Sequence, residues 1–281
     1  EDDGRNYYRR AGQLLCLLYV LGCSDCHMEN IIASGEYPVV VDLETLMLPQ
    51  ARSFEDKKYE ERLSFLVSRQ FFDSVLRTGF LPRWQFGPDK KSYDISGLGS
   101  IGEQEILLKK EIWKNLKTDG MKFEYQFHKL KESLNVPVFE NQSLNPFYYK
   151  DYIVEGFKGM YSYLMVNRDS LLAPGSPLRD FYKKNIRFVF RPTRTYGMIL
   201  NRSLDPKLLR DPVLWSINID LLTTAISKPE INGDYLWPLI KSEIYSMEQL
   251  DIPYITASSD SNALNVPDGK TIEGFFEEPG Y

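Results

Sequence analysis

The chain has 281 residues, 43% of them hydrophobic and 26% charged, with a net charge of −5. This is enough to bury a substantial core, and the acidic balance argues against broad nucleic-acid binding by bulk electrostatics. No apolar run reaches the length of a membrane span, and no signal peptide is visible.

In chain order, Tyr7, Leu14, Leu15, Leu17, Leu18 and Leu21 predict a well-buried helix over 6–21, ended by Gly22. A loop at 23–30 follows, then Ile31-Ile32-Ala33, a turn at Ser34-Gly35-Glu36 and a strand over 38–43. Residues 49–63 read as exposed, leading into a helix at about 58–76. Ser96 to Gly102 is glycine-rich, but it lacks the Lys of a phosphate loop and reads as a flexible loop. Charged residues over 103–140 suggest partly helical structure. Further helical patterns occupy 148–167, 205–228 and 235–250, a strand pattern occupies 185–191, and the tail from 256 reads as irregular. Helix outweighs strand.

The loop reads Asp25-Cys26-His27-Met28-Glu29-Asn30, a D-x-H-x-x-N pattern, and Asp42-Leu43-Glu44 follows a short apolar strand. Phosphoryl transfer from ATP needs such parts: a carboxylate to orient the attacking hydroxyl, and an amide oxygen with another carboxylate to hold Mg²⁺ against the phosphates. Taken singly, Asp25 is a turn residue and His27 a packed histidine; the set in this order points to phosphoryl transfer. Cys23-Ser24-Asp25-Cys26-His27 also matches the C-x-x-C-H haem-attachment pattern. That reading needs export and leaves Asn30, Asp42 and Glu44 without a role. A zinc site there lacks a fourth ligand. The three cysteines cannot complete a disulfide framework, and a reducing cytoplasm is the expected setting.

On a strand from Ile186 to Arg191, Ile186, Phe188 and Phe190 share one face; Arg187, Arg191 and, if it continues, Thr193 share the other. The two arginines would then stand about 13 Å apart. A solvated face and a phosphate-binding face fit equally well.

The chain resembles the dehydratase domain of class II lanthipeptide synthetases, the LanM enzymes. The resemblance is carried by Tyr8 to Leu15, Asp25 to Ala33, Pro38 to Leu46, Ser74 to Gly79, Asp94 to Gly99, Phe190 to Thr193 with Tyr196-Gly197, and Asp251 to Tyr254. It implies an α+β, mostly helical fold: one lipid-kinase-like C-lobe over 1–281 with family-specific insertions. Within it lie a catalytic loop and metal strand (23–46), an activation-like segment (47–105) and an elimination-site strand (185–196). The implied reaction uses ATP and Mg²⁺ to phosphorylate Ser and Thr of a ribosomally made precursor peptide, then eliminates phosphate to leave dehydroalanine or dehydrobutyrine. Under it, Asp25 and His27 serve phosphoryl transfer, Asn30 and Asp42 bind Mg²⁺ and nucleotide, and Glu44 supports the metal or the elimination. Arg187 and Thr193 match positions used in elimination; Arg191 is a weaker addition. The chain opens without Met, and neither an N-lobe with its ATP-contacting Lys nor a zinc cyclase is present, so an excerpt of a longer protein is expected. Two alternatives stay open: a non-catalytic kinase-like module that holds a peptide, and a lipid or small-molecule kinase.

Overall fold

The computed structural model describes residues 2–52, 70–71, 73–86, 92–102, 104–130, 133–226 and 233–279. Helix exceeds strand, 42% to 17%, so the fold is α+β and mostly helical as expected. Helix α1 (Asp2–Val20) places Asp2 and Asp3 in its first turn, where their charge complements the helix dipole. It buries Tyr7, Tyr8, Ala11, Leu15 and Leu18. Helix α2 (Lys150–Val166) crosses it closely enough that no side chain fits at the crossing. A Cβ on Gly12 would lie 1.9 Å from the Ile153 carbonyl oxygen, and one on Gly156 would lie 1.9 Å from that of Arg9. The pair of glycines therefore sets the distance between the helices. Tyr8 stacks on Tyr149 and donates its hydroxyl to the Leu144 carbonyl at 2.7 Å, which fixes the start of α2.

Strands β1 (Ile31–Ser34) and β2 (Tyr37–Val40) form the expected hairpin around a two-residue turn. The sequence places strand out to residue 43, but the ladder stops at Val40. Asp42 accepts the Glu44 backbone N–H at 3.0 Å, so its own side chain closes a turn in place of further strand.

Two long strands, β3 (Gln104–Lys114) and β4 (Lys122–Leu130), replace the helix expected within 103–140. Phe123, Tyr125 and Phe127 alternate with polar residues, a period-2 pattern that the charge count obscures. Trp113 packs edge-on against Phe123, and Lys114 and Lys122 both pair with Glu124. The helix expected at 58–76 lies largely outside the described residues; within them, a 3₁₀ turn runs from Val75 to Thr78.

The C-terminal half is built on a four-stranded antiparallel sheet. Strand β5 (Asn185–Arg187) pairs with β6 (Thr256–Ser258), followed by β7 (Leu264–Asn265) and β8 (Thr271–Ile272). The tail is therefore partly strand, not irregular. Helix α5 (Gly233–Glu248) packs on it through Leu236, Leu239 and Ile240, while α3 (Thr193–Ser203) and α4 (Pro212–Ile219) join α5 in a second cluster around Tyr196, Ile219 and Met247. The single helical pattern at 205–228 divides into shorter pieces. Asp205-Pro206 and Asp211-Pro212 each restart a helix, with the Asp side chain capping and Pro in the first turn. Among the described residues, no helix is long and apolar enough to cross a membrane.

Candidate active site

The loop after α1 is held from both sides. Its Cys26 N–H donates to the Thr78 carbonyl, and its Met28 N–H to that of Ile95. The glycine-rich segment is a packed support and not a flexible loop: Ser96 to Ser100 is buried. A Cβ on Gly97 would lie 2.6 Å from the Cys26 carbonyl oxygen, so this close approach explains the glycine without any phosphate. Buried Asn135 donates its amide to the Gly97 and Gly99 carbonyls at 3.0 and 2.9 Å and ties the support down.

On this support Asp25 and His27 face each other, Oδ1 to Nε2, at 3.8 Å. His27 Nδ1 accepts the Glu29 N–H at 3.2 Å, which leaves the neutral ring's proton on Nε2, toward Asp25. Asn30 donates its side-chain amide to the Asp25 carbonyl at 2.8 Å. The Asn30 carbonyl in turn accepts from Val41 N–H at 3.0 Å, which brings Asp42 alongside the loop. Glu44 then receives Arg187 Nη1 at 2.6 Å, and Arg187 Nη2 donates to Thr193 Oγ1 at 3.2 Å. Seven of the eight candidate residues thus form one chain of contacts: Asp25, His27, Asn30, Asp42, Glu44, Arg187 and Thr193. The Asp25 carboxyl is pushed above the usual carboxylate range, first by burial. Glu44 and Asp42 push it further, while His27 and Arg187 oppose.

Arg191 is not part of this group. Strand β5 ends at Arg187; one further bond joins Phe188 N–H to the Ile255 carbonyl, and opposite Phe190 the partner segment carries Pro253, which has no N–H to offer the ladder. Ile186, Phe188 and Phe190 do turn to the core, but the other face does not persist. Thr193 begins α3 instead. Arg191 points to Glu243 on α5, donating Nε and Nη2 at 2.8 and 2.9 Å, and also reaches the Leu222 carbonyl. Glu243 is fully buried and takes the Tyr196 hydroxyl as well. Burial first, and Glu243 second, push the Tyr196 phenol well above its ordinary range.

Cys23 and Cys26 are buried with their sulfurs 3.4 Å apart, Cys23 also lying 3.7 Å from Thr45 Oγ1. The hydrogen bond from Cys26 is the main reason that the Cys23 thiol is lowered to about 6, while that bond and burial raise Cys26. Thiols packed in this way leave no room for haem attachment. Among the described residues, no group of three or more His, Cys, Asp and Glu side chains is placed to hold a metal ion. Mg²⁺ does not require one: it commonly takes one or two carboxylates and completes its shell with phosphate oxygens and water. A carboxylate and an amide oxygen, the donor types of Asp42 and Asn30, are ones that such a partial set uses.

The pocket beside Asp25 and His27 is about 150 Å³ and is also lined by Arg83 and Gln85. Sequence reasoning passed over both, because neither belongs to a recognisable spacing. Glu243 was missed too, although Leu239, Ile240 and Met247 place it on an apolar helix stripe. A carboxylate in that position calls for a cationic partner.

A family described as a domain of unknown function, DUF4135, matches residues 1–258. The chain is also 30% identical over 279 residues to the lacticin 481/lactococcin biosynthesis protein LcnDR2 of Lactococcus lactis subsp. lactis. That alignment covers 96% of this chain and 28% of the relative, so the chain spans little more than a quarter of the protein it matches. The chain belongs to the DUF4135 family, and the recognition of a class II lanthipeptide synthetase from its motifs holds.

Proposed function

We propose that this chain carries the catalytic loop and elimination site of a dehydratase that acts on a lantibiotic precursor peptide. It first phosphorylates Ser or Thr and then eliminates phosphate. The observation that carries the reading is the Arg187 guanidinium, held by Glu44 on one side and Thr193 on the other. It joins the residues suited to elimination to the carboxylate group around Asp25.

Asp25 accepts the proton of the peptide hydroxyl as its oxygen attacks the γ-phosphorus, and the bond from that phosphorus to the β-phosphate oxygen breaks. His27, with its Nε2 proton toward Asp25, orients the carboxylate. Asn30 and Asp42 would hold Mg²⁺, which neutralises charge on the phosphates when bound. In the second step a general base, a solvent hydroxide or a carboxylate of the intact protein, takes the Cα proton, the C–H electron pair forms the Cα=Cβ double bond, and the Cβ–O bond breaks with its electrons leaving on the phosphate. Arg187 and Thr193 then hold the departing anion, a role suited to a planar guanidinium with donors to spare.

The test is made in the full-length protein with ATP, Mg²⁺ and a Ser/Thr peptide, read by mass spectrometry. Asp25→Ala is expected to give unmodified peptide. Arg187→Ala is expected to accumulate peptide about 80 Da heavier per site, the mass of one added phosphate group. Peptide left unmodified by the Arg187 variant, with fold and nucleotide binding intact, removes that residue from elimination. Phosphorylated product with no elimination in the unaltered protein would point to an ordinary kinase instead.

A further inference from the structure

The pocket at Asp25 shares part of its wall with a neighbour. Leu76 and Leu81 line it, and the same two residues line a second cleft of about 1020 Å³. That cleft lies between α1, α2 and the turn at 75–84, with Leu15, Ile153 and Phe157 among its walls. Trp84 and Phe147 line it too, yet each is 68% exposed. Single exposed apolar side chains are ordinary, but two aromatics bordering one contiguous apolar cleft mark a binding surface.

We propose that this cleft is the subsite for the acceptor peptide and takes the apolar side chains that flank the hydroxyl presented to Asp25. The inference rests on the reading of Asp25 as the phosphoryl-transfer centre. Adjacency commits the cleft to a peptide: a chain with its hydroxyl at Asp25 has Leu76 and Leu81 beside it, and its neighbouring side chains come within reach of the cleft that the same two residues line. Size agrees, since the volume matches the upper end of small-ligand cavities and accommodates several side chains. The lining chemistry agrees as well. Its uncharged polar members and Asp94 are bonded within the protein, Ser100 to the Met28 sulfur. Gln104 is bonded both ways to the Asp94 backbone, the Asp94 carboxylate accepts from Ser96 N–H, and Asn145 caps Phe147. What they leave for a ligand is apolar contact, while the Lys150 and Lys158 amines border the cleft and suit peptide carbonyls.

The experiment uses the full-length protein and two synthetic Thr peptides, one flanked by Leu and Phe and the other by Asn and Gly. The unaltered protein is expected to phosphorylate the apolar-flanked peptide with the lower KM, by about tenfold. Trp84→Glu and Phe147→Glu, both at exposed positions, are expected to bring the two peptides level through KM with little change in kcat. A protein that phosphorylates both peptides equally, or variants that keep the preference, overturn the cleft and leave Asp25 in place. A protein that phosphorylates neither peptide sinks the Asp25 reading and the cleft with it. A photo-crosslinking benzophenone residue at position 147 gives a readout independent of turnover. Linkage to the apolar-flanked peptide, retained when Asp25→Asn stops phosphorylation, supports the subsite. Linkage only to another segment of the same protein overturns it.

Discussion

Arg187 and Arg191 stand four residues apart, and the two sites they serve differ in almost every physical respect. Arg187 is 22% exposed, makes one ion pair and one hydroxyl contact, and lies with the Tyr254 ring centroid 5.9 Å away. Arg191 is 14% exposed and spends three bonds on a carboxylate with no exposure at all and on a carbonyl. One guanidinium spends two of its five N–H donors, on a partly exposed carboxylate and a hydroxyl. The other spends three and completes a buried network with Tyr196. The residue type and spacing are the same; the partner delivered by the opposing element decides the role.

The contrast breaks first at Arg191. Removing one member of a buried pair strands the other charge, so Arg191→Ala is expected to lower unfolding free energy by about 3–5 kcal/mol. Lysine has one point charge and no bidentate fork, so Arg191→Lys recovers only part of that. Phosphorylation and elimination should fall together, in step with the folded fraction, and denaturant titration reads the loss. A variant of wild-type stability that accumulates phosphopeptide would move Arg191 into the elimination site.

Arg187→Ala is expected to act the other way round. Its pair with Glu44 is partly solvated, so stability should change by less than about 1 kcal/mol. Elimination should slow by about 10²–10³-fold, the usual consequence of losing one donor to a developing anion. Rapid-quench measurement of phosphopeptide decay separates this from phosphoryl transfer. Equal slowing of both steps would erase the distinction between the arginines.

A change remote from both arginines sharpens the comparison. Gly12→Ala forces α1 and α2 apart, because the nearest atoms to the new methyl are backbone and cannot rotate away. Overpacking of this kind costs about 1–3 kcal/mol, read as a lower Tm. Since α1 leads directly into the loop at Asp25, phosphorylation is expected to weaken before elimination does. Unchanged Tm would mean that the helices do not meet at these glycines.

The difference between the arginines also explains what the sequence could and could not reveal. Asp25, His27, Asn30, Asp42 and Glu44 lie within twenty residues of one another on a helix, loop and hairpin, and local patterns suffice for such a group. The contacts of Arg187 with Glu44 and of Arg191 with Glu243 span 143 and 52 residues. Nothing in the spacing at 185–194 distinguishes them. Periodicity found α1, α2 and α5, whose apolar stripes are long. It failed at β3 and β4, where Lys and Glu dominate the composition and mask alternating aromatics. It failed again where pairing stops beyond Phe188, since the partner segment brings Pro253 opposite Phe190. The glycines at 97 and 99 looked like mobility because a sequence does not show that the Cys26 carbonyl presses against the first and the Asp94 carboxylate against the second.

The smallest expected effect concerns protons at Asp25. Its carboxyl is held above the usual range by burial, then by Glu44 and Asp42, with His27 and Arg187 pulling down. Phosphoryl transfer needs the ionised form, so the acid limb of kcat/KM should lie at higher pH than an ordinary Asp would give. Arg187→Ala removes one of the lowering contributions and should move that limb to higher pH still. The same shift acts on stability with a definite sign. A carboxyl that binds its proton more tightly when folded favours the fold below its unfolded pKa, and that advantage disappears as pH rises through the folded value. At neutral pH the ionised group is therefore a burden on the fold, as residues at functional sites often are. Asp25→Asn, inactive in phosphorylation, should melt slightly above the unaltered protein at pH 7, and the gap should close on acidification as Asp25 takes up its proton. If the variant instead melts lower at pH 7, the carboxylate is stabilised where it sits. Burial would then not be what sets its acidity.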